Sequence, residues 1–139
     1  MKNCIEAIEE CCAYAGTKGV FLGLENHGGI VEGADQLLAI VKAVRSDWFG
    51  INLDSGNFHS EDPYAELAAC APYTVNAQIK VEIKRKGAAA AEPSDIPRVV
   101  KILREANYQG FVALEYEAKE DPWAAVPRYL KEMRAAVKA

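Results

Sequence analysis

Apolar residues along the chain follow two alternating periods. Ile5, Ile8, Cys12 and Ala15 keep helical spacing, and Gly16 and Gly19 close that stretch before the apolar run Val20-Phe21-Leu22-Gly23-Leu24. The pattern predicts a helix followed by a strand. A second helical stripe, Leu37, Leu38, Val41 and Val44, leads into a short strand, Phe49-Gly50-Ile51-Asn52-Leu53. Asp62-Pro63 places an N-cap directly before a proline at the first helical position, opening a helix with Leu67 and Cys70 inward. Thr74 to Val81 is the third predicted strand, and Lys84-Arg85-Lys86-Gly87 with the alanines that follow is a solvated loop. Ser94 is the expected cap of a helix carrying Ile96, Val99, Val100 and Leu103, which Asn107 to Gly110 terminate. Phe111 to Tyr116 is the fourth strand. Asp121-Pro122 repeats the cap-and-proline device before a last helix with Val126, Leu130, Met133 and Val137 in register.

The order is α(βα)₄, and helical crossovers between successive strands make them parallel and adjacent. Period two divides each strand into two faces. Val20, Leu22 and Leu24 oppose Gly23, Glu25 and His27; Ile51 and Leu53 oppose Gly50, Asn52 and Asp54. Val75, Ala77, Ile79 and Val81 oppose Asn76, Gln78 and Lys80; Val112, Leu114 and Tyr116 oppose Ala113, Glu115 and Glu117. One face is aliphatic and the other polar. Parallel strands covered on both sides read as apolar throughout, so this alternation points instead to a barrel wall, with aliphatics facing the helices and polar groups facing the interior.

Each strand carries one oxygen-bearing side chain near its carboxyl end: Glu25, Asp54, Gln78 and Glu115. Bringing these together inside a barrel costs heavily in lost hydration unless a cation shares them. An all-oxygen set suits Mn²⁺ or Mg²⁺ better than Zn²⁺. Three carboxylates and an amide around a divalent ion leave a net charge near −1, which tolerates a neutral hydroxy-ketone.

Composition narrows the partners. The 139 residues are one domain in length, and half are hydrophobic, enough for an ordinary core. A net charge of −4 without long like-charged runs argues against nucleic acid or an anionic membrane as the main partner. No apolar stretch approaches the roughly 20 residues of a membrane span, and acids appear too early for a signal peptide, so a cytoplasmic location is expected. Cys4, Cys11, Cys12 and Cys70 form no CxxC pair and read as small apolar residues on helix faces. Gly28-Gly29 reads as a tight turn, and Tyr14, Trp48, Tyr108 and Trp123 as packing between helices and sheet.

Gly-Leu-Glu25-Asn-His-Gly-Gly, Ile-Asn-Leu-Asp54-Ser-Gly-Asn-Phe and Ala-Leu-Glu115-Tyr-Glu resemble the second half of sugar phosphate isomerase/epimerase proteins of the xylose isomerase-like TIM-barrel superfamily. The resemblance runs over nearly the whole chain. It implies a single domain, residues 1–139, forming the C-terminal half of a (β/α)₈ barrel with an N-terminal helix. In that family a Glu, an Asp, a His and a Glu at the last four strands bind one divalent metal, and the two glutamates also serve as acid and base. The roles fall on Glu25, Asp54, the position of Gln78, and Glu115, with Glu25 and Glu115 catalytic.

The implied reaction is proton transfer at a carbon next to a carbonyl in a sugar or polyol, through an enediolate. Lys80 and His27, two residues beyond Gln78 and Glu25, are placed to meet substrate oxygens. Asn57 stands where epimerases often have a substrate-binding histidine, with His59 close by. Gln78 replaces the usual histidine ligand. A full barrel takes about 250 residues, so half is missing here, and two open sheet edges predict association, either as a homodimer completing eight strands or with the chain as a truncated product. A metal-dependent hydrolase or lyase on the same scaffold, or a non-catalytic half-barrel binding module, are the other readings.

Overall fold

The computed structural model describes residues 1–139. Helix α1 (Lys2–Gly16) precedes β1 (Leu22–Glu25), α2 (Ala34–Val41), β2 (Phe49–Asp54) and α3 (Pro63–Cys70), which tightens into a 3₁₀ turn (Ala71–Tyr73) before β3 (Thr74–Lys80). A short hairpin, β4 (Glu82–Ile83) and β5 (Glu92–Pro93), comes next, then α4 (Ile96–Glu105), β6 (Val112–Glu115) and α5 (Pro122–Lys138). The strands β1, β2, β3 and β6 form one sheet in that order, and every pair in it is parallel. This is the predicted α/β architecture of four βα units.

The sheet steps as it goes. Glu25 is level with Asn52 and, across a register shift at Ile51/Asn52, Asn52 is level with Asn76. Asp54 is level with Gln78, and Lys80 with Glu115. Such progressive stagger belongs to the tilted strands of a barrel wall.

The two faces separate as the alternation demands. Ile51, Leu53, Ala77 and Ile79 are buried against α2, α3 and α4 in one core with Leu37, Leu67, Val99 and Leu103. Two glycines have specific duties. Gly28 and Gly29 both take positive φ in the turn after β1, as expected. At Gly50 a Cβ would collide with Val75 Cγ1 and stand 2.7 Å from the Tyr73 carbonyl oxygen. Gly50→Ala is therefore expected to cost about 1–3 kcal/mol by overpacking, read as a lower urea midpoint with an unchanged m-value.

Several expectations are corrected. The helix α4 is capped by Asp95, not Ser94: Asp95 Oδ1 accepts from Arg98 N at 3.0 Å, while Ser94 N donates to the Val81 carbonyl at 2.9 Å. Residues 84–91 are a loop as expected, but it is held between two short strands outside the predicted elements. Ile83 is buried, β4 pairs antiparallel with β5, and Arg85 donates to Glu92 Oε1 at 2.8 Å and to the Glu61 carbonyl at 2.9 Å. Trp123 and Tyr14 are exposed rather than packed; Trp48 packs against Phe21 in a tilted pair, with ring centroids 4.9 Å apart and planes at 44°. Of the cysteines, Cys12 and Cys70 are buried while Cys4 and Cys11 face solvent. The cap-and-proline devices stand: Asp62 accepts from Tyr64 N and Ala65 N, and Asp121 from Trp123 N. No helix is long and apolar enough to cross a membrane.

Candidate functional site

Alternation along the strands puts Glu25, Asn52, Asp54, Asn76, Gln78, Lys80 and Glu115 on the face turned away from the helices, and the stagger turns them into a connected row. Asn52 Nδ2 donates to Glu25 Oε2 at 3.0 Å and also to Gln78 Oε1. Gln78 Nε2 donates to Glu115 Oε2 at 2.5 Å, and Asn76 Nδ2 supports Asn52 from behind at 2.8 Å. Glu25, Gln78 and Glu115, three of the four predicted metal ligands, are thus joined through one asparagine.

Asp54, the fourth, sits deeper. It is wholly buried. Its Oδ1 accepts from Gly56 N at 2.8 Å, closing a tight turn after β2, and its Oδ2 receives no well-directed hydrogen bond. Its backbone is held by Asn26, whose amide donates to the Asp54 carbonyl and accepts from Asp54 N, both at 2.9 Å. Burial pushes the Asp54 carboxyl up to about 6, against the pull of Gly56 N–H and the Lys80 charge.

Lys80 ties the two parts together. Its Nζ lies 3.2 Å from Asp54 Oδ2, 3.7 Å from Glu115 Oε1 and 2.7 Å from Glu117 Oε2, and donates to Asn57 Oδ1 at 3.0 Å. Burial works to lower this ammonium; hydrogen bonding to Glu117 and the charges of Asp54 and Glu115 overcome it and raise it. The same hydrogen bond lowers the Glu117 carboxyl. The Lys80 N–H is in turn received by Ser55 Oγ at 2.8 Å.

The other predicted substrate residues surround this row. His27 Nδ1 lies 2.9 Å from Glu25 Oε1, and this hydrogen bond with the Glu25 charge raises the imidazole above its ordinary value. Asn57 links His27 to Lys80. His59 is exposed and lines, with Asn57, Lys80, Lys84 and Glu117, a cavity of about 280 Å³ beside the row.

Asn26, Ser55, Asn52 and Glu117 complete the site without having been singled out as site residues. Period two already placed Asn52 and Glu117 on the polar face. Asn26 and Ser55 act through backbone groups just beyond strand ends, which no spacing announces.

As a donor set the row fits a hard divalent cation: four oxygen-bearing side chains from adjacent strand ends share one face, and Asp54 Oδ2 is buried without a hydrogen bond. No three His, Cys, Asp or Glu side chains close into a metal-holding group, and an ammonium lies among the carboxylates instead.

Comparison with known proteins places the fold. A magnesium complex of a xylose isomerase-like TIM barrel protein from Mycobacterium smegmatis superposes with a TM-score of 0.80 at 22% identity, covering 96% of this chain and 49% of that one. An L-ribulose 3-epimerase matches with a TM-score of 0.77 at 16% identity, covering 96% and 52%. The 3-keto-D-glucoside 4-epimerase of E. coli matches with a TM-score of 0.72 at 17% identity, covering 94% and 52%. The chain thus spans about half the length of the solved structures it matches, which is consistent with half a TIM barrel. A search of curated proteins found no match. Residues 1–133 match the family described as xylose isomerase-like TIM barrel, and the chain belongs to that family.

Proposed function

We propose that this chain is the acid–base half of a sugar or polyol isomerase/epimerase. The observation that carries the reading is the row itself: Glu25 and Glu115 stand on the two outer strands of the sheet, with Asn52 and Gln78 bridging them. Membership of the family and the likeness to solved epimerases support it.

Two carboxylates on opposite flanks suit removal of a proton from one face of a carbon and its return to the other. Glu25 is the better anchored, holding His27 and Asn52 on its two oxygens. Glu115 is oriented by Gln78 and faces the Lys80 charge. Lys80, Asn57 and His59 at the cavity, with His27 beside them, are the groups that meet substrate hydroxyl and carbonyl oxygens. Glu25, Asp54, Gln78 and Glu115 are the residues that would hold a divalent ion, Mn²⁺ or Mg²⁺ rather than Zn²⁺. Such an ion polarises a carbonyl and stabilises the oxyanion beside it.

The test is solvent exchange. In D₂O with Mn²⁺ or Mg²⁺, the protein is expected to incorporate deuterium at the carbon next to the carbonyl of a ketose, followed by proton NMR over a panel of ketoses and keto-polyols. Failure across the panel, with metal shown to be bound, would remove the isomerase reading and leave a sugar- or metal-binding module.

The outer edges of β1 and β6 have no strand partner, and Phe21 and Phe111 are exposed beside them. Unpaired edges of this kind invite further strands, and a second copy of the chain would supply four. Light scattering is expected to give the mass of a dimer; a well-folded monomer at micromolar concentration contradicts it.

A further inference from the structure

We propose that Lys80 is a built-in cation that occupies the carboxylate cluster and competes with a divalent metal for it. The inference rests on the ligand set given above and concerns a residue outside that set. Lys80 has two inner partners, Asp54 Oδ2 at 3.2 Å and Glu115 Oε1 at 3.7 Å, both among the four oxygen donors. It has two outer partners, Glu117 Oε2 at 2.7 Å and Asn57 Oδ1 at 3.0 Å, neither of them in the donor set.

The side chain is only 10% exposed, and that of Asp54 is not exposed at all. A carboxylate buried to that depth requires a nearby positive charge. The ammonium supplies it, and so explains how a strand-end aspartate persists in the fold with one oxygen free of hydrogen bonds. Gln78 adds no charge where a further ligand stands, and both ends of its amide are engaged, with Asn52 and with Glu115. Lys80 is therefore the cation that faces Asp54 and Glu115, while His27 is the partner of Glu25.

A metal ion and the ammonium cannot share the inner position. An oxygen-bound Mg²⁺ or Mn²⁺ sits about 2.0–2.3 Å from its ligands, so an ion on Asp54 and Glu115 would stand within a few ångström of Nζ and be repelled by it. Lys80 must then be held by its outer pair alone. Glu117, exposed and already in contact, is the residue that receives it. Its Nζ stands between the two pairs and touches both, so on this proposal it leans inward as counter-ion and outward when a stronger cation arrives. Metal affinity in this protein is thus set against an internal competitor, and losing the competitor raises it.

The experiment is Mn²⁺ titration, by calorimetry and by electron paramagnetic resonance of free Mn²⁺, of the wild type, Lys80→Met, Lys80→Gln and Lys80→Arg. The neutral variants are expected to bind Mn²⁺ at least tenfold more tightly than the wild type, and Lys80→Arg, which keeps the charge, no more tightly. If Lys80→Met unfolds without metal, circular dichroism is expected to show it refolding at Mn²⁺ concentrations that leave the wild type unbound. Equal affinity in a wild type and neutral variants that all bind overturns the competition and leaves the ligand set standing. Absence of binding in every variant, with Lys80→Gln folded, overturns both.

Discussion

Glu25→Gln and Glu115→Gln are each expected to slow isotope exchange at the reacting carbon by about 10²–10⁴-fold, the usual contribution of a positioned acid or base. The substitutions are nearly isosteric, and neither residue belongs to the buried core. A glutamine at 25 still offers Asn52 an acceptor, and one at 115 still offers one to Gln78, so the row of hydrogen bonds survives while the exchangeable proton site is lost. The two variants should also differ. With a base on each flank, each variant is expected to block interconversion of a pair of epimers while retaining slow exchange from only one of them, and from opposite ones. Following both epimers separately by NMR reads this. Retention of interconversion in either variant would take that glutamate out of the chemistry.

A second large effect is expected in stability. With metal removed by chelator, Lys80→Met should lose about 3–5 kcal/mol, the cost of stripping a buried carboxylate of its partner. A domain of this size holds roughly 5–15 kcal/mol in all, so the variant should lie close to unfolding at ambient temperature. Adding Asp54→Asn is expected to restore much of the loss, because the amide no longer demands a counter-charge. The double-mutant cycle, measured by urea denaturation, therefore gives a coupling well above that of an exposed ion pair, which is about 0.2–1 kcal/mol. Additive losses would mean that Asp54 is satisfied by the Gly56 N–H and by its own protonation, and that Lys80 contributes packing only.

The parts of this fold that follow from periodicity were legible in the chain itself. Ile51, Leu53, Ala77 and Ile79 alternate with Asn52, Asp54, Gln78 and Lys80, and pleating alone sends the two sets to opposite faces. The same rule put the candidate site residues of four strands on one side. What it could not supply was reach. Nothing in the spacing says that a lysine two residues past Gln78 would fold back among Asp54, Glu115 and Glu117 rather than extend to the rim. The hairpin of β4 and β5 was illegible for a different reason: two-residue strands, one containing a proline, are too short to show a period. Ser94 and Asp95 are adjacent capping types, and only the position of the first helical N–H groups chooses between them. Trp123 was misjudged because size and hydrophobicity do not fix which side of a helix meets the core.

Asn26 has a consequence for how the pocket tolerates motion. A primary amide holds an NH₂ donor and a carbonyl acceptor in one plane, and here one N–H and the oxygen meet the carbonyl and N–H of a single residue on the neighbouring strand, as a peptide group would. The tips of β1 and β2 are in effect clasped one step beyond where their ladder stops. Sliding or fraying there is arrested, and the relative placement of Glu25 and Asp54 is left to side-chain rotation alone. Neither an aspartate nor a leucine could serve as that clasp, since the first lacks the donor and the second lacks both.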